Sequence, residues 1–91
     1  MPTFHLLLKG KVQGVFYRAT AKKMADKFNL SGWIKNTKEG HVESIVTGSN
    51  EQVQQFINWC KTGPEKANVE EVQVTPTEEI LFNDFQILPF R

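Results

Sequence analysis

The sequence predicts an α+β sandwich, an antiparallel sheet with two helices on one of its faces. Three observations carry that expectation. Several segments alternate apolar and polar residues at period two. Two segments repeat apolar residues at i, i+3, i+4 and i+7. The two kinds interleave in the order βαββαβ, with a short extra strand possible near the end. The 91 residues fit one small domain, expected to span 1–91.

Phe4, Leu6 and Leu8 alternate with His5, Leu7 and Lys9, which predicts a strand from about Thr3 to Lys9. Gly10 to Gly14 is expected to be a turn. From Ala19 onward the period changes, and Ala21, Met24, Ala25 and Phe28 fall on one helical face while Lys22, Lys23, Asp26 and Lys27 take the other. Asn29 and Gly32 are the expected stop signals. Trp33–Asn36 reads as a short strand. Thr37–Gly40 reads as a hairpin loop, with Gly40 free to take positive φ. His41–Thr47 returns, with Val42, Ser44 and Val46 on one face.

A second helix begins near Ser49 or Asn50, where Ser49 and Gln52 have the spacing of a capping box. Val53, Phe56, Ile57 and Cys60 form its apolar stripe, and Gly63-Pro64 ends it. Val72 and Val74 mark a fourth strand stopped by Pro76. Phe85 and Ile87 mark a last one, which Pro89 confines to a strand end or an edge. Each helix links strands able to pair in parallel, and the simplest packing is a ferredoxin-like βαββαβ sandwich with its second face open to solvent.

Composition narrows the function classes. Hydrophobic residues at 40% and charged residues at 23% are globular proportions. A lone cysteine, Cys60, excludes an intramolecular disulfide and points to a reducing compartment. Leu6-Leu7-Leu8 is closed by Lys9 and is too short for a signal core or a membrane span, so a soluble cytoplasmic protein without a membrane partner is expected. The net charge of +1 lacks the basic surplus of a nucleic-acid binder, so any anion would be held by a local site. His5 and His41 lie on separate strands with no Cys or carboxylate at metal-ligand spacing, so no metal is expected. Both histidines read as solvent-facing strand residues, Cys60 as a core residue, and Trp33 as a packing residue.

The segment Gly10-Lys11-Val12-Gln13-Gly14-Val15-Phe16-Tyr17-Arg18 joins the first strand to the first helix. Its two glycines let the backbone bend and approach a ligand, its N–H groups can form a nest for an anion, and the helix adds a partial positive charge. Arg18 offers a fork of donors suited to two phosphate oxygens. By spacing alone, a tight turn beside a surface arginine fits equally well. There is no Gly-Lys-Ser/Thr, so this is not a Walker A loop. In the second stretch, Gly32 to Gly48, the strand holding Asn36 can lie beside the first strand and present Asn36 to the anion loop. That amide could hold a water. The local pattern by itself favours a turn-opening role for Asn36-Thr37.

These two stretches resemble the signature motifs of the acylphosphatase family. Gly10 to Arg18 matches Gly-x-Val-Gln-Gly-Val-x-aromatic-Arg. Gly32 to Gly48 matches Gly-aromatic-small-basic-Asn, three residues, Gly-x-Val, five residues, Gly. Two mild departures are Ile34, where the family usually has Val, Ala or Cys, and Tyr17, where it usually has Phe. The resemblance covers nearly the whole chain. It implies a ferredoxin-like fold and a metal-independent, cofactor-free hydrolase whose partner is a small acyl phosphate. It also implies that Arg18 binds the phosphoryl group. The loop N–H groups of Gln13, Gly14, Val15, Phe16 and Tyr17 would complete the cradle. Asn36 would orient the attacking water, with Thr37 supporting Asn36 or its turn. A monomer is expected. Similar modules occur as accessory domains of larger enzymes. Because the chain ends at Arg91, with no room for another domain, a stand-alone enzyme is expected. The alternative is a ferredoxin-like binding module for RNA or a phosphate ligand, without catalysis, although the Lys/Arg-Gly-aromatic-Gly/Ala-Phe-Val signature is missing.

Overall fold

The computed structural model describes residues 1–89. Its elements are β1 (Thr3–Lys11), α1 (Tyr17–Lys27), β2 (Ser31–Asn36), β3 (Val42–Thr47), α2 (Asn50–Thr62), β4 (Asn68–Thr77) and β5 (Phe85–Ile87). Phe90 and Arg91, at the end of the expected domain, lie outside the described residues.

The sheet has the order β4-β1-β3-β2-β5. Its first four strands pair antiparallel throughout, and β5 joins β2 in parallel, so the sheet is mixed. β3 therefore separates β1 from β2. The strand holding Asn36 does not lie beside the first strand, as the sequence suggested. The strands joined by each helix run parallel, but another strand stands between them. Leu8, Val42 and Asn36 nonetheless fall in line across β1, β3 and β2, because Leu8 pairs with Val42 and Val42 with Asn36. That register brings the outgoing ends of β1 and β2 to the same edge of the molecule.

Both helices bury their stripes in one cluster with the sheet. Leu6 and Leu8 of β1, Ile34 of β2, and Val42 and Val46 of β3 meet Ala21 and Ala25 of α1 and Val53, Phe56, Ile57 and Cys60 of α2. The opposite face carries charge. His5 Nε2 lies 2.6 Å from Glu43 Oε2, and Lys35 Nζ lies 3.8 Å from Glu43 and 5.4 Å from the Trp33 ring centre. Trp33 thus sits on the open face under an ammonium, outside the core.

Several boundaries differ from the sequence reading. β1 does not stop at Lys9. A bulge between Lys9 and Gly10 lets it keep pairing with β4 to Lys11. A β-carbon at Gly10 would strike the Asn68 carbonyl, so this glycine admits the neighbouring strand and not a ligand. α1 starts at Tyr17, before the expected Ala19. It ends at Lys27, and Asn29, two residues on, takes φ 56°, while Gly32 lies inside β2. β4 runs through Pro76 to Thr77, which its place at the sheet edge permits. The capping box holds as expected: the Gln52 N–H donates to Ser49 Oγ at 3.2 Å, and Ser49 Oγ reaches Gln52 Oε1 at 3.0 Å.

One buried contact joins the two helices where sequence chemistry leaves a gap. The Cys60 carbonyl would be served by the N–H four residues on, but that residue is Pro64, which has none. The Tyr17 hydroxyl donates to this carbonyl instead, at 2.8 Å. Burial, reinforced by the neighbouring Cys60, holds the Tyr17 hydroxyl above its ordinary range. Burial likewise pushes the Cys60 thiol up to about 12, which makes it a core residue and not a nucleophile. Rings continue the link. Tyr17 lies 5.4 Å from Trp59, Trp59 6.1 Å from Phe56, and Phe56 6.0 Å from Phe85. Tyr17→Phe removes the donor and leaves the carbonyl buried. It is expected to lower the unfolding free energy by about 1–2 kcal/mol. Urea midpoints measure this, and an unchanged midpoint would show that another donor serves Cys60.

Candidate active site

The turn from β1 into α1 exposes its own backbone donors. Gly14 takes φ 74° and Phe16 φ 63°. Left-handed residues alternating with ordinary ones turn successive N–H groups to one side, the geometry of an anion nest. The helix that follows has no side-chain cap and no acidic residue in its first turn. Phe16 itself occupies the cap position, which is usually a serine, threonine, aspartate or asparagine. Thr20 is the first residue here whose N–H meets a backbone carbonyl, that of Phe16 at 3.1 Å. Among the described residues, the N–H groups of Gln13 through Ala19 take no backbone acceptor. A left-handed, bulky residue costs of order 1–3 kcal/mol. Holding Phe16 there leaves this helix end open to a negative group.

Arg18 lies in the first turn of α1 and lines a pocket of about 340 Å³ with Gly14, Phe16, Tyr17 and, from the last strand, Ile87. No ion pair is formed by Arg18 among the described residues. Arg18 thus shares its pocket with three residues of the turn, Gly14, Phe16 and Tyr17. Val15 points the other way and is buried in the core, where it anchors the turn.

Asn36 ends β2 on the same face as Ile34 and Val42, the face the helices cover. Its side-chain oxygen is buried and has no hydrogen-bond partner among the described residues. That is a costly state for an amide carbonyl unless a donor from outside the protein serves it. Asn36 and Thr37 do not line the pocket. The hairpin that follows Asn36 is joined to the pocket's loop through Gln13, whose Nε2 donates to the Thr37 carbonyl at 3.0 Å and to the His41 carbonyl at 2.8 Å. Thr37 shapes the hairpin: its N–H donates to the His41 carbonyl at 2.9 Å, and its hydroxyl accepts from the His41 N–H at 3.1 Å.

The structure therefore gathers Gly14, Phe16, Tyr17 and Arg18 at one pocket, ties Thr37 to the adjoining loop through the Gln13 side chain, and leaves Asn36 outside the pocket lining. The Gln13 side chain was not foreseen in this role, nor was Ile87. A glutamine before a glycine gives no local sign of a long-range tether, and Ile87 enters only through the parallel pairing of β5. No three His, Cys, Asp or Glu side chains among the described residues gather at a distance suited to a metal. Among the described residues, no helix is long and apolar enough to cross a membrane.

Fold and site together define a small α+β domain with one arginine at a pocket beside a run of backbone N–H groups that take no backbone acceptor among the described residues. Comparison with known proteins gives the family. Residues 4–87 match the family described as Acylphosphatase. An acylphosphatase of Syntrophus aciditrophicus is 44% identical over 91 residues, covering 97% of this chain and 93% of that one. One from Pyrobaculum islandicum is 45% identical over 87 residues, covering 93% and 92%. The crystal structure of acylphosphatase from Bacillus subtilis superposes with a TM-score of 0.93 at 31% identity, over 97% of this chain and 99% of that chain. The chain belongs to the acylphosphatase family. It is an enzyme that hydrolyses acyl phosphates, and the binding-module alternative is left without support.

Gln13→Ala is expected to loosen the 37–41 hairpin. Amide exchange at His41 should accelerate about tenfold, the equivalent of one lost hydrogen bond of about 1.4 kcal/mol. Unchanged exchange there would show that the hairpin holds itself.

Proposed function

We propose that Arg18 and the N–H groups of Gln13, Gly14, Val15, Phe16 and Tyr17 hold the phosphoryl group of the substrate, and that Asn36 orients the attacking water. Thr37 keeps Asn36 at the end of its strand. The observation that carries this reading is the uncapped start of α1, where consecutive N–H groups find no backbone acceptor and Arg18 stands beside them.

The chemistry asks for little more. Water adds to phosphorus, the bond from phosphorus to the bridging oxygen breaks, and the products are a carboxylate and inorganic phosphate. A carboxylate with a conjugate-acid pKa of about 4 leaves without being protonated, so no strong general acid is needed. The transition state is loose and spreads charge over three equatorial oxygens. Fixed backbone donors and one guanidinium match that charge without reorganising. The buried oxygen of Asn36 accepts a hydrogen bond from the water and fixes its direction. A neutral amide suffices, since what it supplies is position. We read the chain as a single-domain enzyme, supported by relatives that it covers over more than nine-tenths of their own length. We also read it as a cytoplasmic monomer that needs no metal or cofactor and does not bind nucleic acid, supported by one buried cysteine and a net charge of +1.

Phosphate release from benzoyl phosphate in EDTA tests the assignment. Arg18→Ala is expected to lose at least about a hundredfold in rate while keeping its circular dichroism. Normal turnover by the folded variant would remove Arg18 from the site. Asn36→Ala is expected to lower kcat more than it weakens competitive inhibition by inorganic phosphate. The opposite pattern would make Asn36 a phosphate ligand and not a water holder.

A further inference from the structure

We propose that the space beside Arg18 is an acyl subsite whose apolar walls, Phe16 and Ile87, favour aromatic and branched apolar acyl phosphates over small ones. The inference rests on Arg18 being the phosphoryl ligand. It adds a specificity that the reaction itself does not require.

The pocket of about 340 Å³ falls in the range of small-molecule sites, and among the described residues Arg18 is the one charged residue of its lining. Its polar end therefore coincides with the proposed phosphoryl position. From there the remaining wall is apolar. Val12 is buried at 1% exposure and closes the pocket toward the core. Phe16 and Ile87 are different, being 79% and 41% exposed while lining the same space.

Neither exposed side chain is explained by packing. Along β5 successive residues alternate faces, so Phe85 and Ile87 point to the same side. Phe85 is buried in the core. Ile87 lies two residues on, level with Ile34 of β2, and emerges at the pocket. Phe16 is held in the left-handed region with its side chain turned to solvent, so its ring gains little from the fold. Two large apolar side chains from separate elements thus face the same opening as the phosphoryl ligand. An acyl phosphate joins its two halves through one oxygen. A phosphoryl group seated on the turn places the acyl carbon within a few bonds of these walls. An aromatic or branched acyl group would cover Phe16 and Ile87 and leave Arg18 to the phosphate. A small acyl group such as acetyl would reach little of them.

The test compares kcat/KM for benzoyl phosphate and acetyl phosphate in wild type, Phe16→Ala, Ile87→Ala and Ile87→Thr, the last keeping a β-branched strand residue. The ratio of benzoyl to acetyl is expected to fall about five- to tenfold in each, mainly through KM for benzoyl phosphate. Ile87→Leu should restore the ratio to within about twofold. Inhibition by inorganic phosphate should stay within about twofold in the Ile87 variants, which leave every proposed phosphoryl ligand in place. A ratio that does not change in any variant, whether both rates hold or fall together, would overturn the subsite and leave the phosphoryl assignment standing. Failure of the wild type to hydrolyse either substrate would overturn both.

Discussion

The constraint on which the site depends is that a backbone N–H away from water must meet an acceptor. Most helices meet it at their start with a polar side chain. This one starts on Phe16, and the preceding turn is wound so that its donors point outward together. The rest of the fold then serves to hold that turn. Val15 anchors it from below, Gln13 ties it sideways to the hairpin after β2, and Tyr17 fixes the first helical residue to the end of α2. Donors left without backbone acceptors among the described residues suit a charged ligand, the one proposed above, and packed neighbours hold their arrangement.

The division of labour is visible in adjacent residues. Tyr17 contributes its N–H to the turn and its side chain to the core. Its hydroxyl supplies what Pro64 cannot. This is one of the two positions where the chain departs from the family motif, and the departure has a local reason. The other, Ile34, is fully buried in the core, where a larger side chain is accommodated without leaving the family fold.

Much of this was legible from residue order. The helical stripes of Ala21 and Ala25, and of Val53, Phe56, Ile57 and Cys60, are short-range patterns, and they bury as their spacing demands. Motif spacing singled out Arg18 and Asn36; the structure sets Arg18 at the pocket and leaves Asn36 out of that pocket's lining. Pairing was less legible. Nothing near Trp33 or Leu6 says that β3 inserts between their strands, because register is settled by which faces can be buried together. Gly10 looked like a turn residue because a glycine's local signal is the same whether it bends the chain or admits a neighbouring strand. The start of α1 was placed late because Phe16 is not a capping residue, so the usual sign of a helix beginning is missing. The helix start escaped the sequence reading at the same residue that leaves its end uncapped.

The outer edge of the sheet carries a further consequence. β4 is ten residues long and lies at the border of the sheet, a length that would ordinarily invite another chain to zip alongside it. Pro76 offers no donor to such a visitor, the bulge opposite Gly10 bends the border, and Glu70 and Glu71 would meet their own kind in a second copy. At the far border β5 has only three residues to offer. Neither border of the sheet therefore offers a second chain a long, straight and unbroken row of donors.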